Sequence, residues 1–445
     1  MDRARGMEAA MMYQATTANG QDMGEGELRG ALEAAFRAIG ERRRVLVIPP
    51  DATRLHSWAG RITELAYEHY RSRLVDILPA LGTHTPMSRE ELTRMFGRVP
   101  HELFRVHRWR EDVETLGRVP AALVRELSEG RVSFDWPAQV NRLVARGGHD
   151  LVLCIGQVVP HEVAGMAGQS KTLFVGTGGS EAIHKSHYLG AVYGMERMMG
   201  RVRTPVRDLF VYASEHFAAH LPVVYVLTVV GPGRSGEPAL RGLFVGDDEA
   251  TFARAAELAL EVNLTLLEEP LDRVVVHLDP ATFKSTWIGN KAIYRTRMAI
   301  ADGGELVILA PGVRQFGEDP DIDRIIRAHG YLSTPEVLER VEKSPELQAN
   351  LSAAAHLIHG SSEGRFTITY APGGLSEAEV VRAQFRYLRP EAALARYPVG
   401  RLREGWNELA GGERIYFISN PALGLWAHRA RFASLGPPGA APSTR

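Results

Sequence analysis

Short apolar runs alternate regularly with longer amphipathic stretches along this chain, and few folds accommodate that pattern. The runs are rich in Val, Ile and Leu and end at Gly or Pro, which is typical of strands buried on both faces. Stretches such as 181–200 and 247–267 have the length and mixed polarity of helices. The alternation predicts parallel sheets with helical crossovers, and therefore an α/β fold. The predicted strands are 44–50, 73–82, 150–156, 172–176, 222–230, 272–278, 304–312, 364–373 and 413–419.

With 445 residues, the chain is long enough for more than one domain with its own core. We expect two α/β domains with an active-site cleft between them. The first is expected over residues 1–266, with 390–445 returning to it, and the second over residues 267–389. A lead-in at 1–25 and a Pro/Ala/Gly-rich tail from Leu435 are expected to lack regular structure.

Composition argues against several classes of protein. Lys+Arg 52 nearly equals Asp+Glu 53, so we expect no basic surface for nucleic acid or an anionic membrane. The single cysteine, Cys154, excludes an internal disulfide and a zinc site built from several cysteines. No apolar run reaches the ~18 residues of a membrane span, and the N-terminus lacks an apolar signal core. We therefore expect a soluble, cytoplasmic protein.

Lysine is scarce, so arginine carries nearly all of the positive charge. Each remaining lysine is a candidate for a role that arginine cannot fill, such as a neutral amine nucleophile or a covalent attachment point. The lysines are Lys171, Lys185, Lys284, Lys291 and Lys343.

Polar side chains follow three of the predicted strands, at the edge where ligands bind in α/β sheets. They are Asp51, Arg54, His84, His161 and Lys171. Arg54 is suited to binding a carboxylate through two parallel hydrogen bonds, and Asp51 is expected to orient that guanidinium or to cap a helix. The two histidines, with ordinary pKa values of about 6.5, suit proton transfer on either face of a substrate. A hydrogen bond at a strand end is the alternative for each histidine.

The glycine-rich segment 165–172 is similar to a phosphate-binding P-loop, but Ser170 stands where that motif has the glycine before its lysine. A nucleotide triphosphatase is therefore not predicted. The glycines, Gly168 among them, and Ser170 remain candidates to cradle a single phosphate through backbone amides. On the next predicted helix, His184 and His187 lie one turn apart on one face, but no familiar zinc signature surrounds them.

Four motifs in this order carry a resemblance to a known family. They are PDxTR at 50–54, GTHTPMS at 82–88, the ten-residue spacing from His161 to Lys171 and the sixteen-residue spacing from Lys171 to His187. On these motifs the chain resembles, over most of its length, the lactate racemase superfamily. Its members use a nickel-pincer nucleotide, a pyridinium-3-thioamide-5-thiocarboxylic acid mononucleotide that holds nickel.

The resemblance implies which residues hold that cofactor. Lys171 matches the lysine that is joined to it through a thioamide, and His187 matches the protein ligand of the square-planar nickel. Asp51 matches an acidic residue near the same site, and Gly168 and Ser170 are expected to contact the cofactor. Cofactor-biosynthesis proteins are expected partners.

The resemblance also implies the reaction. His84 and His161 match paired acid/base histidines, while Arg54 and Lys291 match the groups that hold a substrate carboxylate. One histidine removes the hydroxyl proton of a 2-hydroxy acid while its C2 hydride moves to the cofactor. The resulting 2-keto acid then receives the hydride on its other face. The chain is therefore expected to be an isomerase.

The stretch 351–366 predicts the substrate. It offers His356, His359, Ser361 and Ser362, and we find no counterpart there to the tryptophan that lactate racemases place in the second domain. Polar groups suit a substrate with several hydroxyls. With the segments WIGNKAIYRTR at 287–297 and GVRQFGED at 312–319, the chain resembles the branch that epimerises D-gluconate to D-mannonate at C2, and His356 and His359 are expected to bind the substrate.

Three alternatives stay open on the sequence. The chain is also compatible with a racemase of short or aromatic 2-hydroxy acids such as lactate or phenyllactate. A pyridoxal-phosphate enzyme would use Ser170 and Lys171 around its Schiff base. A carboxylate or nucleotide sensor without catalysis would keep the same fold and bind its ligand without inverting C2.

Overall fold

The computed structural model describes residues 13–17, 21–234 and 237–436. The strands are β1 (Tyr13–Thr16), β2 (Val45–Ile48), β3 (Leu74–Ile77), β4 (Val113–Val119), β5 (Trp136–Asn141), β6 (Leu151–Gln157), β7 (Pro160–His161), β8 (Gly165–Met166), β9 (Val223–Pro232), β10 (Pro238–Gly246), β11 (Leu264–Leu267), β12 (Leu271–His277), β13 (Ile300–Ala310), β14 (Thr367–Pro372), β15 (Arg386–Tyr387), β16 (Gly405–Glu408), β17 (Arg414–Ile418) and β18 (Leu425–His428). The α-helices are α1 (Glu25–Ile39), α2 (Ala59–Tyr70), α3 (Arg89–Phe96), α4 (Ala121–Leu127), α5 (Arg142–Arg146), α6 (Ser180–Tyr193), α7 (Met195–Met198), α8 (Pro205–Ala213), α9 (Glu249–Asn263), α10 (Thr286–Gly289), α11 (Lys291–Thr296), α12 (Pro320–His329), α13 (Thr334–Lys343), α14 (Pro345–Ala349), α15 (Leu351–His359), α16 (Glu377–Arg382), α17 (Pro390–Arg396) and α18 (Arg429–Ser434).

The first sheet has six strands in the order β1-β10-β9-β6-β2-β3. Its strands β9, β6, β2 and β3 are parallel, and β10 and β1 extend it in antiparallel fashion. Successive side chains of a strand point to opposite faces, so Leu46 and Ile48 join one apolar core while Val45 and Val47 join another. Helices α6, α8 and α9 cover the first face, and α1 and α2 cover the second. The predicted α/β fold is confirmed.

The second sheet also has six strands, in the order β15-β14-β13-β12-β17-β16. All neighbours are parallel except the edge pair β16–β17. The expected return of residues 390–445 to the first sheet is wrong for β17, because that strand pairs with β12 through Val274–Tyr416 and its neighbours. Only the last part of the chain reaches back, where Arg201 donates hydrogen bonds to the carbonyl oxygens of Phe432 and Gly436. The domain boundaries themselves stay predictions.

Two local expectations differ from the structure. The apolar run at 172–176 was expected as a strand, but Thr172–Gly176 is a buried π-helical turn. A run of this length contains too few residues for periodicity to separate a strand from a buried helix. In the predicted lead-in, Tyr13–Thr16 forms β1, while residues 1–12 and 18–20 lie outside the described residues. The predicted tail lies almost wholly outside them as well, from 437 onward.

Within the described part of the chain, no helix combines the length and the apolar character needed to cross a membrane. The fold places the candidate residues through the parallel strands of the first sheet. The carboxyl ends of β2, β3 and β6 meet at one edge, and each is followed there by a polar loop.

Candidate active site

One pocket at this edge gathers nearly all of the residues that the sequence singled out. It is lined by Asp51, Arg54, His84, His161, Gly168, Lys171, His187, Lys291, His356 and His359. The first seven follow strands of the first sheet or lie on α6, and the last three lie on α11 and α15. Ser170, Ser361 and Ser362 do not line it. Asp51 and His359, which are 308 positions apart in the chain, therefore line the same pocket.

Asp51 holds His84 in a fixed orientation. One carboxylate oxygen of Asp51 accepts hydrogen bonds from the amide (3.1 Å) and the hydroxyl (2.5 Å) of Thr53. Asp51 is thereby the N-cap of the 3-10 helix Ala52–Ser57. The other oxygen lies 2.6 Å from His84 Nδ1. Because a carboxylate can only accept, Nδ1 donates its proton, and the Nε2 lone pair is left free. The expected helix cap is therefore present, and the second oxygen orients a histidine rather than Arg54.

Burial opposes ionisation of Asp51, but the His84 ring and the Thr53 donors outweigh it and lower the pKa of Asp51 to about 2. A group whose pKa is lowered by folding stabilises the protein above its unfolded pKa, and this stabilisation is lost as the pH falls through the folded pKa. We expect about 1 kcal/mol of it to disappear between pH 5 and pH 3. Urea unfolding of the wild type and Asp51→Asn at both pH values measures this loss.

The free-energy difference between the two proteins should be smaller at pH 3 than at pH 5 by that amount. Asp272→Asn, at an exposed position on β12, is the matched control and should show no such change. A difference between wild type and Asp51→Asn that stays constant with pH would contradict the prediction.

His161 is the opposite tautomer to His84, with its proton on Nε2 rather than on Nδ1. The backbone N–H of Val163 donates to its Nδ1 at 3.1 Å, so the neutral ring carries its proton on Nε2. Burial, reinforced by the charges of Lys171 and Arg54, lowers the pKa of His161 well below its ordinary value despite the nearby carboxylate of Glu162. That carboxylate lies 3.7 Å from Nδ1. The two candidate acid/base histidines thus differ in which nitrogen each offers.

Glu162 was missed by the sequence analysis. Its carboxylate is held ionised against burial, since the His161, His359 and Lys291 groups lower its pKa. It lines the pocket beside the arginine and lysine side chains and offsets part of their charge. Its position directly after His161, at the start of the turn 162–164 between β7 and β8, was a usable signal.

The two pocket lysines have depressed pKa values. Burial, and next the positive charge of Arg54, lowers the pKa of Lys171 to about 8 and that of Lys291 to about 7. Neither amine makes a hydrogen bond or an ion pair with another residue in the ranges that the structure describes. A lowered pKa leaves a neutral amine fraction near neutral pH, which is a nucleophile.

His187 has one nitrogen engaged and one free. Its Nδ1 donates to the carbonyl oxygen of Ile183 at 2.7 Å, one turn earlier on α6, which leaves the Nε2 lone pair. Burial, and then the charge of Lys171, lowers the pKa of His187 to about 3, so the ring is neutral at pH 7. A neutral imidazole held by its second nitrogen is the usual form of a histidine metal ligand.

His184 does not share this position. Its ring packs 6.0 Å from the Trp109 ring and does not line the pocket, so the two histidines do not form a metal pair. Among the described residues, no three or more His, Cys, Asp or Glu side chains are grouped as a metal site would need. A metal ion bound at His187 would therefore need ligands other than His, Cys, Asp and Glu side chains of the described residues.

Arg207 organises the glycine-rich loop. Its buried guanidinium donates to the carbonyl oxygens of Met166 and Gly168 and to the side chains of Gln169 and Ser170. The Ser170 hydroxyl accepts from it at 2.9 Å and therefore faces Arg207 rather than the pocket. Gly168 does line the pocket, at φ +93°, a conformation that favours glycine.

The opposite wall of the pocket is built by α10 and α15. The Trp287 ring packs on His356 with ring centroids 4.2 Å apart and the ring planes 35° from parallel, and both residues line the pocket. The stretch 351–366 contains no tryptophan, but Trp287 on α10 brings an indole ring to this wall of the pocket. The signal was the tryptophan four residues before Lys291, on the same α10–α11 segment. Ser361 and Ser362 lie beyond the wall, where the Ser361 hydroxyl accepts from the backbone of Glu363.

Two further polar atoms on this wall have no partner among the described residues. The Ser352 hydroxyl and His359 Nε2 are buried and make no hydrogen bond. Both residues line the pocket on the same face of α15 as His356, at the spacing i, i+4, i+7. Because burying an unpaired polar group costs free energy, this face suits a ligand with several hydrogen-bonding groups.

Comparison with known proteins places this site in context. A family model for the lactate racemase N-terminal domain matches residues 12–199. Lactate racemase from Thermoanaerobacterium thermosaccharolyticum is 26% identical over 286 residues, which are 60% of each chain. The chain therefore spans about 60% of the length of that curated relative. The N-terminal part of the chain is therefore similar to the N-terminal domain of lactate racemases.

Two solved structures share the fold. A Thermotoga maritima protein has a TM-score of 0.78 and 23% identity, covering 93% of this chain and all of its own. The lactate racemase apoprotein from T. thermosaccharolyticum has a TM-score of 0.63 and 18% identity, covering 88% of each chain. At these sequence identities, the two comparisons show a shared fold and nothing about function.

Proposed function

We propose that this protein is a racemase or epimerase of 2-hydroxy acids that works with a nickel-pincer nucleotide. The observation that carries the proposal is the convergence of Lys171, His187, Arg54 and Lys291 in one pocket with two histidines, His84 and His161. These groups match the needs of the reaction: attachment, nickel binding, carboxylate binding and proton transfer. The match of the N-terminal region to a lactate racemase domain supports the same class of reaction.

The side chains fit this cofactor. The unpartnered amine of Lys171, with a pKa of about 8, would be joined to it. The free Nε2 of His187 would bind the nickel, and the other ligands would come from the cofactor itself, which agrees with the lack of a cluster of metal-binding side chains among the described residues. When bound, the cofactor supplies hydride transfer, which no side chain in the pocket can perform.

The two histidines handle the hydroxyl proton. His84 accepts it at Nε2, and the Asp51 carboxylate stabilises the imidazolium that forms. We assign the other face to His161, whose Nε2–H would donate to the substrate oxygen, with the Glu162 carboxylate 3.7 Å from its Nδ1. With one histidine held by Asp51 and the other beside Glu162, the product hydroxyl can receive its proton on the face opposite to the one where the substrate lost it.

Arg54 and Lys291 bind the substrate carboxylate. Lys291→Ala should raise KM about 10- to 100-fold, with a smaller effect on kcat, because a charged hydrogen bond is lost. Steady-state kinetics of the cofactor-loaded variant measures this. Lys284→Ala, an exposed lysine outside the pocket, is the control. Unaltered KM and kcat in Lys291→Ala would remove this lysine from the site.

The substrate that we propose is a sugar acid, with D-gluconate converted to D-mannonate at C2. The unpartnered Ser352 hydroxyl and His359 Nε2 support this, because a polyhydroxy chain would supply their missing partners. Arg54 and Lys291 would hold the carboxylate, and His356 and His359 would contact the hydroxyl-bearing chain.

The test uses protein matured together with the cofactor-biosynthesis proteins, with loading verified by intact mass and nickel content. The loaded protein is incubated with D-gluconate, and D-mannonate is followed by NMR, with lactate in parallel. Mannonate without lactate inversion supports the sugar acid. Inversion of lactate alone keeps the reaction class and rejects the substrate, and neither product from loaded protein rejects the proposed function.

A racemase of short or aromatic 2-hydroxy acids is the second candidate. The stacked Trp287 and His356 rings favour it, because they offer an apolar face to a methyl or phenyl group. Phenyllactate in the same assay separates it from the sugar-acid epimerase.

A further inference from the structure

The hydrogen bonds behind the Trp287–His356 pair determine which nitrogen His356 turns to the pocket. The Thr286 hydroxyl donates to the carbonyl oxygen of Phe316 at 3.0 Å, because a carbonyl can only accept. The Tyr331 hydroxyl lies 2.6 Å from the same Thr286 oxygen. Since the Thr286 proton is already used, Tyr331 must donate its own proton to Thr286.

The Tyr331 oxygen is left as an acceptor for His356. His356 Nε2 lies 3.2 Å from it and must carry the proton of that hydrogen bond. Burial first, and then the neighbouring His359, lowers the pKa of His356 well below its ordinary value, so the ring is neutral and has one proton only. Nδ1 therefore keeps its lone pair, and it has no hydrogen-bond partner in the described ranges.

We infer that His356 is a specificity-determining residue whose Nδ1 accepts a hydrogen bond from a substrate hydroxyl and disfavours an anionic group at that place. The inference rests on the proposed function and narrows its substrate class to 2-hydroxy acids with a neutral, hydroxylated chain. Tyr331 and Thr286 act as positioning residues, because Tyr331 contacts His356, Thr286 fixes the direction of the Tyr331 proton, and neither lines the pocket.

The surroundings agree with this selection. Trp287 lies four residues before Lys291, so the stacked pair begins beside the group proposed to bind the carboxylate. The ionised Glu162 carboxylate also lines the pocket and would repel a second anion on the substrate. The lone pair of His356 and the charge of Glu162 both disfavour an anionic chain end, whereas a hydroxyl can donate to either.

The tautomer is measurable without cofactor or turnover. Protein labelled with ¹⁵N at histidine is examined by long-range ¹H–¹⁵N correlation, and His356 is assigned as the signal that disappears in His356→Asn. We expect the pattern of a neutral ring with its proton on Nε2. A neutral ring with its proton on Nδ1, or a charged ring at pH 7, would overturn the inference.

Selectivity is measured by calorimetric binding to the cofactor-loaded protein. The three ligands are D-gluconate, 2-hydroxyhexanoate, which has the same carbon number without the chain hydroxyls, and D-glucarate, which ends in a second carboxylate. We expect D-gluconate to bind more tightly than either of the other two. His356→Phe keeps an aromatic ring beside Trp287 but removes both nitrogens. In this variant, the ratio of the dissociation constant of each other ligand to that of D-gluconate should fall about 10- to 100-fold.

His356→Asn offers an acceptor oxygen close to the place of Nδ1 and should keep a larger part of the preference. Equal selectivity in His356→Phe and wild type would overturn the inference even if mannonate is formed. Conversely, loaded wild type that binds D-gluconate selectively but inverts no hydroxy acid would reject the proposed function and leave the role of His356 intact.

Discussion

Lys171→Ala is expected to abolish covalent attachment of the cofactor and, with it, all C2 inversion. The Lys171 amine is the proposed point of attachment, and alanine offers no nucleophile in its place. Protein produced together with the cofactor-biosynthesis proteins would show, by intact mass, the adduct in the wild type and only the bare polypeptide mass in the variant.

Lys171→Arg distinguishes loss of the nucleophile from loss of the charge, because arginine keeps the positive charge but is not a nucleophile. It should fail to form the adduct as completely as the alanine variant. Lys343→Ala, which alters an exposed lysine paired with Glu339 on α13, is the matched control and should load normally. An adduct of unchanged mass on Lys171→Ala would defeat the assignment of this residue.

His84→Gln is expected to lower kcat by about 10²- to 10⁴-fold, the range over which general acid–base groups contribute. The change removes the Nε2 base and leaves the Asp51 carboxylate without its ring. Cofactor loading should be unaffected, because His84 has no part in attachment or in nickel binding as proposed. Single-turnover and steady-state kinetics on protein of measured nickel content separate lost chemistry from lost loading.

His220→Gln, at an exposed position outside the pocket, is the control for this change and should leave kcat at the wild-type value. A His84→Gln protein that loads fully and keeps its kcat would exclude His84 as an acid/base group. Loss of nickel in the variant would instead point to a role for His84 in holding the cofactor.

Much of the fold was predictable because the buried strands carry a strong local signal. Runs such as 151–156 are apolar throughout, and a strand with helices on both faces is the simplest way to bury every residue of such a run. Thr172–Gly176 shows the limit of this reasoning, because an equally apolar run of five residues packs as a helical turn after Lys171. Its residues are as deeply buried as those of β6, so the backbone conformation is decided by the residues that precede and follow the run.

The residues of the candidate site were also largely visible in the sequence, since polar side chains just after buried strands must meet at one sheet edge. Their partners were not visible. Asp51 binds His84 from 33 residues away, and Tyr331 reaches His356 from 25 residues away. Neither pairing follows from spacing, because each depends on how two separate loops or helices pack.

By itself, then, the sequence determined the α/β class, the sheet edge that carries the polar groups and the identity of most of those groups. The tertiary structure decided that Ser170 serves Arg207 rather than the pocket, that Trp287 joins the wall, and which nitrogen each pocket histidine presents. The physical reason is that apolar burial follows a local periodicity. Hydrogen-bond direction, in contrast, depends on donors and acceptors that only the folded chain brings together.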